Sequence, residues 1–395
     1  MTINEYMLMG GTFLLSAICG LLMIPMIMRF CSRKGIYDHP DGRKVHHQNV
    51  PRLGGISFIP SMLIASSIFI LINGQTQSLG QFPLSSWSMM FFISLLLVYG
   101  VGIVDDLVGL DAKAKFTVQG VAAVLIPLSG LYINNLHGLF GIHEISCAAG
   151  FILTAFILVF ACNAINLIDG IDGLSGGLCL MALVGFTIFF SPRGCQQYCF
   201  LIAGLAGVLI AFLYYNIFGK VERHHKIFMG DSGSLSLGFI LGFMFVKAIT
   251  IEDSKGEPNP LIQTYSLLIV PTFDLIRVSV VRLRHKTHIF LADKNHIHHK
   301  LLRAGLSQHQ SLGCILCLAL LFILMNNVLN PHVSPTLIIA IDVVVWLLFH
   351  QALNWRLKKI GQPIFLPNTE EASYYLRPSS KKSTELSIED IKTNY

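Results

Sequence analysis

The chain reads as an all-α, polytopic integral membrane protein of about eleven transmembrane helices, with its N-terminus outside and its C-terminus in the cytoplasm. Three observations predict this. The 395 residues are 53% hydrophobic and only 13% charged, with a mean hydropathy of +0.63, whereas a soluble domain carries roughly 25% charged residues. Apolar runs of about 17–25 residues, enough to span a bilayer as helices, recur along the whole length. Lysine and arginine concentrate in alternate connections, and this bias fixes orientation.

The runs fall at about 8–30, 54–72, 88–104, 116–133, 147–167, 174–190, 199–217, 232–250, 262–281, 311–329 and 335–354. The first has no basic leader and no small-residue cleavage site after it, so it reads as a retained span. Residues 31–53 carry Arg33, Lys34, Arg43, Lys44 and Arg52, and residues 282–310 carry Arg282, Arg284, Lys286, Lys294, Lys300 and Arg303. The connections on the opposite side hold only Arg193 and Lys255. The net charge of +6 is therefore a signature of topology that would also attract anionic headgroups, and a nucleic-acid partner is not expected. An integral domain over 1–360 is followed by a flexible cytoplasmic tail over 361–395, Ser-, Lys- and Glu-containing and without periodicity. Cys195 and Cys199 flank an outer loop, and the sequence leaves their pairing open.

The inner connections are rich in His, Asp, Gly and basic residues, so function is expected on the cytoplasmic face. Arg43-Lys44 through Arg52-Leu-Gly54-Gly55 sets basic residues beside a glycine pair, which suits a phosphate and equally suits an inner turn. Asp105-Asp106 closes the third run, with Lys113 and Lys115 after it; adjacent carboxylates at a membrane boundary are costly unless they meet a cation or a proton donor. Asn163, Asn166, Asp169 and Asp172 follow at three-residue intervals, the first three on one broad helix side, before Gly170 and Gly173 break the helix. A carboxylate-and-amide cluster of this kind suits a hard cation and a diphosphate.

Phe228-Met-Gly230-Asp231-Ser-Gly-Ser opens the eighth run: it offers backbone N–H groups for an anion, one carboxylate for Mg²⁺ and a ring for a base. A plain helix cap has the same form. His296-Ile-His298-His299-Lys-Leu-Leu-Arg303 clusters imidazoles among cations, which favours hydrogen bonding to diphosphate or sugar hydroxyls over zinc. Asp274 and Arg277 read as an interior pair.

Taken together, Asp105-Asp106, Asn163-x-x-Asn166-x-x-Asp169-Gly-x-Asp172-Gly-Leu174, Gly230-Asp231-x-Gly-Ser and the His-x-His-His element resemble the polyprenyl-phosphate N-acetylhexosamine-1-phosphate transferases of glycosyltransferase 4 type. The resemblance covers about residues 10–360, with the motifs in family order. The His296-Ile-His298-His299 form is similar to the bacterial undecaprenyl-phosphate GlcNAc-1-phosphate transferase branch and differs from the His-His-His form of the phospho-MurNAc-pentapeptide translocases.

The resemblance implies roles. Asp105, Asp106 and Asp231 would be catalytic, with Asp231 and Asn166 as metal ligands. Asp169, Gly170, Asp172, Gly173 and Leu174 would bind the nucleotide, with Phe228 stacking on uracil. His296, His298, His299 and Arg303 would meet the sugar and diphosphate, and Lys44, Arg52 and Lys115 the acceptor phosphate. The implied cofactor is Mg²⁺, with Mn²⁺ as substitute. The implied partners are a UDP-N-acetylhexosamine, undecaprenyl phosphate and membrane lipids, with a second copy of the chain as a further candidate. The setting would be the bacterial inner membrane, with the site facing the cytoplasm. The implied reaction moves a sugar-1-phosphate to the lipid, releases UMP and starts cell-surface glycan assembly. A transporter or flippase without covalent chemistry is the competing reading; it accounts less well for polar residues gathered on one side, because alternating access needs a path through the midplane.

Overall fold

A computed structural model describes residues 3–38, 49–74, 85–223, 225–251, 257–287 and 293–366. The helices in chain order are α1 (Ile3–Lys34), α2 (Phe58–Gly74), α3 (Ser86–Val108), α4 (Ala112–Leu128), α5 (Cys147–Ile168), α6 (Leu174–Phe190), α7 (Gln196–Phe218), α8 (Gly230–Ile249), α9 (Pro260–Tyr265), α10 (Ile269–Arg284), α11 (Ile297–Arg303), α12 (Gln308–Leu329) and α13 (Pro335–Lys359).

Each apolar run of the sequence falls on helix. Among the described residues seven helices are long and apolar enough to cross a membrane: α1, α3, α5, α7, α8, α12 and α13. The others are shorter. The helices α2, α4 and α6 have 17 residues each, about 26 Å at 1.5 Å per residue. The ninth run is broken into α9 and α10 by a 3₁₀ turn at Ser266–Leu268. Pro271 explains the break: it has no N–H to return to the Leu267 carbonyl four residues back.

The expected all-α reading needs one correction. The 134–146 connection contains a small antiparallel hairpin of β1 (Asn135–Leu139) and β2 (Ile142–Glu144), pairing Asn135 with Glu144 and Leu139 with Ile142. Phe140 and Gly141, between the paired Leu139 and Ile142, take φ of 53° and 75°, which lets the chain reverse in a two-residue turn. All nine cysteines are free, Cys195 and Cys199 included.

The centre of the molecule is α8. Every residue from Ser232 to Val246 is buried, with α3, α5 and α6 packed around it. A run so apolar yet so fully covered is a bundle core rather than a lipid-facing helix. A second core cluster, built on Phe322, Trp346 and Leu357, gathers α10 to α13. Ile168, Ile171, Leu174 and Leu178 belong to this second cluster, so the α5–α6 turn is seated on the α10–α13 side of the bundle. The packed chain runs on through Leu366, which is 4% exposed.

Candidate active site

The ends of α3 and α5 and the start of α8 meet at one point because small residues let them. A Cβ on Gly102 of α3 would stand 2.5 Å from the Ser232 Cα of α8, so only glycine permits this approach. Asp106, one turn further on, is 2% exposed. Its Oδ1 accepts the Asp231 backbone N–H at 2.8 Å and its Oδ2 that of Ser232 at 2.9 Å. The anion held by the Gly-Asp-x-Gly-Ser turn is thus a carboxylate of the chain itself. These bonds give Asp106 a structural task, satisfying two of the first N–H groups of α8 and complementing its dipole.

The Asp231 side chain projects from that anchored turn into a cavity. Its Oδ1 accepts Asn166 Nδ2 at 3.0 Å, and its Oδ2 accepts Lys115 Nζ at 2.9 Å. Lys115 also reaches Asp105 Oδ2 at 3.3 Å, while Asp105 Oδ1 accepts the Leu110 N–H at 2.7 Å. Asn166 further donates to Ser234 Oγ at 2.9 Å. Asn163 turns away, donating to Gln119 Oε1 at 2.7 Å.

The cavity has a volume of about 310 Å³. Among the described residues, Asp38, Asp105, Asp106, Asp169, Asp172 and Asp231 line it, against one guanidinium, Arg52, and one imidazole, His299. Asn166, Gly170 and Phe228 also face it. This acidic excess has an electrostatic consequence. Burial first, then the neighbouring carboxylates Asp231, Asp172 and Asp106, push the Asp169 carboxyl up to about 7. Lys226 offsets part of the charge by pairing with Asp172 at 2.8 Å.

The remaining expected site residues stand behind the wall. Gly173 donates its N–H to Asn216 Oδ1 at 2.7 Å, and Leu174 is fully buried. The His298 imidazole packs directly on Gly170, where any Cβ would collide with the ring. His296 is drawn back by Asp274, whose Oδ2 lies 2.8 Å from Nδ1. Arg303 is buried and donates to the Lys294 carbonyl at 2.6 Å. Of the histidine element, His299 alone lines the cavity. Burial, then His296, holds His298 down at about 3, and burial, then His298, holds His299 well below the usual imidazole range. Both are neutral near pH 7, suited to hydrogen bonding with neutral hydroxyls. Burial, then Arg277 and Arg303, brings Lys300 down to about 7. The Asp274–Arg277 pair is present, at 2.8 Å. Lys44 lies outside the described residues.

Sequence reasoning missed Asp38, Asn216 and Gln308, all of which line the cavity. Asn216 carried a readable signal, an amide at the end of an apolar run, the same signal that singled out Asn163. Asp38 had none: its place depends on backbone pairing with Val50 and on Arg52, 3.9 Å away.

The donor set fits a divalent hard cation. Among the described residues no three acidic, histidine or cysteine side chains form a ready-made metal cage. Mg²⁺ does not need one, because it is held by one or two carboxylates together with substrate phosphates and water. Asp231 offers a cavity-facing carboxylate that here holds the Lys115 ammonium, itself a cation, with the Asn166 amide beside it.

The profile of Glycosyl transferase family 4 matches residues 87–249, which contain Asp105, Asp106, Asn166, Asp169, Asp172 and Asp231. Over 353 residues the chain is 28% identical to the undecaprenyl-phosphate alpha-N-acetylglucosaminyl 1-phosphate transferase of Yersinia pestis, covering 86% of this chain and 92% of that protein. It is 29% identical over 370 residues to the probable undecaprenyl-phosphate N-acetylglucosaminyl 1-phosphate transferase of Bacillus subtilis (strain 168), covering 91% and 94%. It is 29% identical over 290 residues to the Escherichia coli (strain K12) enzyme that carries the same name as the Yersinia protein, covering 72% and 73%. With its motif carboxylates gathered around one acidic cavity among apolar helices, a region matching the glycosyl transferase family 4 profile and relatives of one name along most of its length, the chain is a phosphosugar transferase.

Proposed function

We propose that the protein transfers N-acetylglucosamine-1-phosphate from UDP-GlcNAc to undecaprenyl phosphate at the cytoplasmic face of the bacterial inner membrane, releasing UMP. The observation that carries this reading is the cavity itself: six carboxylates with Asn166, Phe228 and His299 around one space of about 310 Å³. The names of the relatives supply the acceptor and the sugar, and the Lys/Arg asymmetry supplies the face.

The acceptor's phosphate oxygen attacks the sugar-bearing phosphorus in line. The bond from that phosphorus to the bridging oxygen breaks, and UMP leaves with the electron pair. A phosphate monoester has its second pKa near ~6, so the acceptor is largely dianionic and needs no strong base. Asp231 and Asn166 would hold Mg²⁺, which when bound neutralises charge on the diphosphate. Asp106 keeps Asp231 in place, and Asp105 steers Lys115. Lys115 and Arg52 supply positive charge for phosphate, Phe228 a face for uracil, and His299 a hydrogen-bonding partner for the sugar.

UMP release by the purified protein with UDP-GlcNAc and undecaprenyl phosphate tests the reading. Release of inorganic phosphate, or movement of lipid without UMP, would overturn it. A reporter fused after residue 355 should be cytoplasmic and one near residue 80 or 140 outside; the reverse would remove the site from its nucleotide sugar.

A further inference from the structure

Beyond α13 the chain turns back onto the histidine element. Gly361, with φ of 70°, redirects it. The Asn295 side chain then pairs with the Leu366 backbone in both directions: Nδ2 donates to the Leu366 carbonyl and Oδ1 accepts the Leu366 N–H, each at 3.0 Å. Asn295 is 1% exposed. Arg303, at the other end of α11, donates to the Ile364 carbonyl at 3.4 Å. Phe365 stacks on His285 with ring centroids 3.9 Å apart. Two more bonds tie α11 to α13 itself, Lys300 Nζ to Asn354 Oδ1 at 2.6 Å and Arg356 Nε to the Ala304 carbonyl at 2.8 Å.

We propose that residues 362–366 form a latch and that Asn295 is a positioning residue, which together hold His299 at the cavity. The proposal rests on the reading of that cavity as the UDP-sugar site. His296 follows Asn295 directly, and the Asn295 carbonyl accepts Arg277 while Asp274 holds His296. Residues 295, 296 and 303 are thus fixed from outside, and the short helix carrying His298 and His299 is suspended between them. The latch needs an amide. A carboxylate at 295 would face the Leu366 carbonyl with no proton to give, and an aliphatic side chain would leave both Leu366 groups buried without partners.

Three forms of the protein test this: Asn295→Asp in the full chain, a chain ending at Gly361, and a control ending at Leu366. The first two should raise the KM for UDP-GlcNAc about tenfold, the scale of one or two net hydrogen bonds, with the KM for the lipid acceptor unchanged. The control should match the full chain. General weakening of the fold would move both KM values together and overturn the positioning role, as would Asn295→Asp with the donor KM of the full chain. Amide hydrogen exchange is the independent arm: residues 293–303 should exchange faster in Asn295→Asp while α8 is unaffected, and unaltered exchange there would overturn the latch. Should the full chain release no UMP, the function reading fails, and the exchange arm still decides the latch.

Discussion

The starts of α8 and α11 are built alike and used differently. Each motif-bearing helix begins on a buried aspartate contributed by another helix. Asp106, on α3, accepts the N–H groups of Asp231 and Ser232. Asp274, on α10, accepts the Ile297 N–H at 3.0 Å and holds His296 Nδ1 with its other oxygen. At α8 the clamp uses backbone alone, so the Asp231 side chain is left facing the cavity. At α11 the clamp consumes a side chain, so His296 is withdrawn and His299 is left to face the cavity. A polar motif is therefore two populations, groups that fasten the helix and groups presented to substrate, and residue type does not separate them.

Breaking the presented group at α8 should have the largest effect. Asp231→Asn keeps the shape and the backbone clamp but removes the charge that would hold Mg²⁺. Its kcat should fall at least about 10²–10³-fold, the scale for losing one preorganised electrostatic group, with thermal stability nearly unchanged. EDTA should silence the unaltered protein, and added Mg²⁺ or Mn²⁺ should restore it. A near-active Asp231→Asn protein with ordinary Mg²⁺ dependence would reduce the turn to a helix cap.

Breaking the fastener should look different. Asp106→Ala strands two buried N–H groups at about 1–3 kcal/mol each, so melting temperature and activity should fall together. Loss of activity at an unaltered melting temperature would return Asp106 to a direct chemical role. On the α11 side, Gly170→Ala would force a Cβ into the His298 ring, which is 1% exposed and has no room to yield. Overpacking of this kind costs about 1–3 kcal/mol, and the donor KM should rise more than kcat falls. A tolerated alanine would show that the two halves of the site are not rigidly coupled.

The apolar runs were plain in the sequence because hydropathy over many residues is a summed signal. Their lengths were less so: the break at Ser266–Leu268 is one missing N–H, and the hairpin at 135–144 turns on the positive φ of Phe140 and Gly141. The carboxylates were legible because charge at a membrane boundary demands a reason. The division of labour between Asp105, Asp106 and Asp231 was not. It depends on which oxygen meets which N–H, set by how closely Gly102 lets α3 approach α8. Asp274 was legible as an interior ion pair, but its hold on His296 spans 22 positions and follows from tertiary packing alone.

The smallest effect concerns Asp169, where sign matters more than size. Its folded carboxyl stands near 7 against an ordinary value of 3.8, raised by burial and then by Asp231, Asp172 and Asp106. The folded state therefore binds this proton more tightly than the unfolded chain does. The stability this implies is fully present below the unfolded value and is lost as pH rises through about 7. Asp169→Asn is uncharged at every pH and escapes that loss. In metal-free buffer the variant should melt close to the unaltered protein at acid pH and above it at alkaline pH, with the gap opening between the two values. Saturating Mg²⁺ should narrow the gap, because a cation beside Asp231 relieves the same repulsion. A gap that is constant across pH would mean that Asp169 shares its charge with solvent, and the acidic side of the comparison would lose its electrostatic basis.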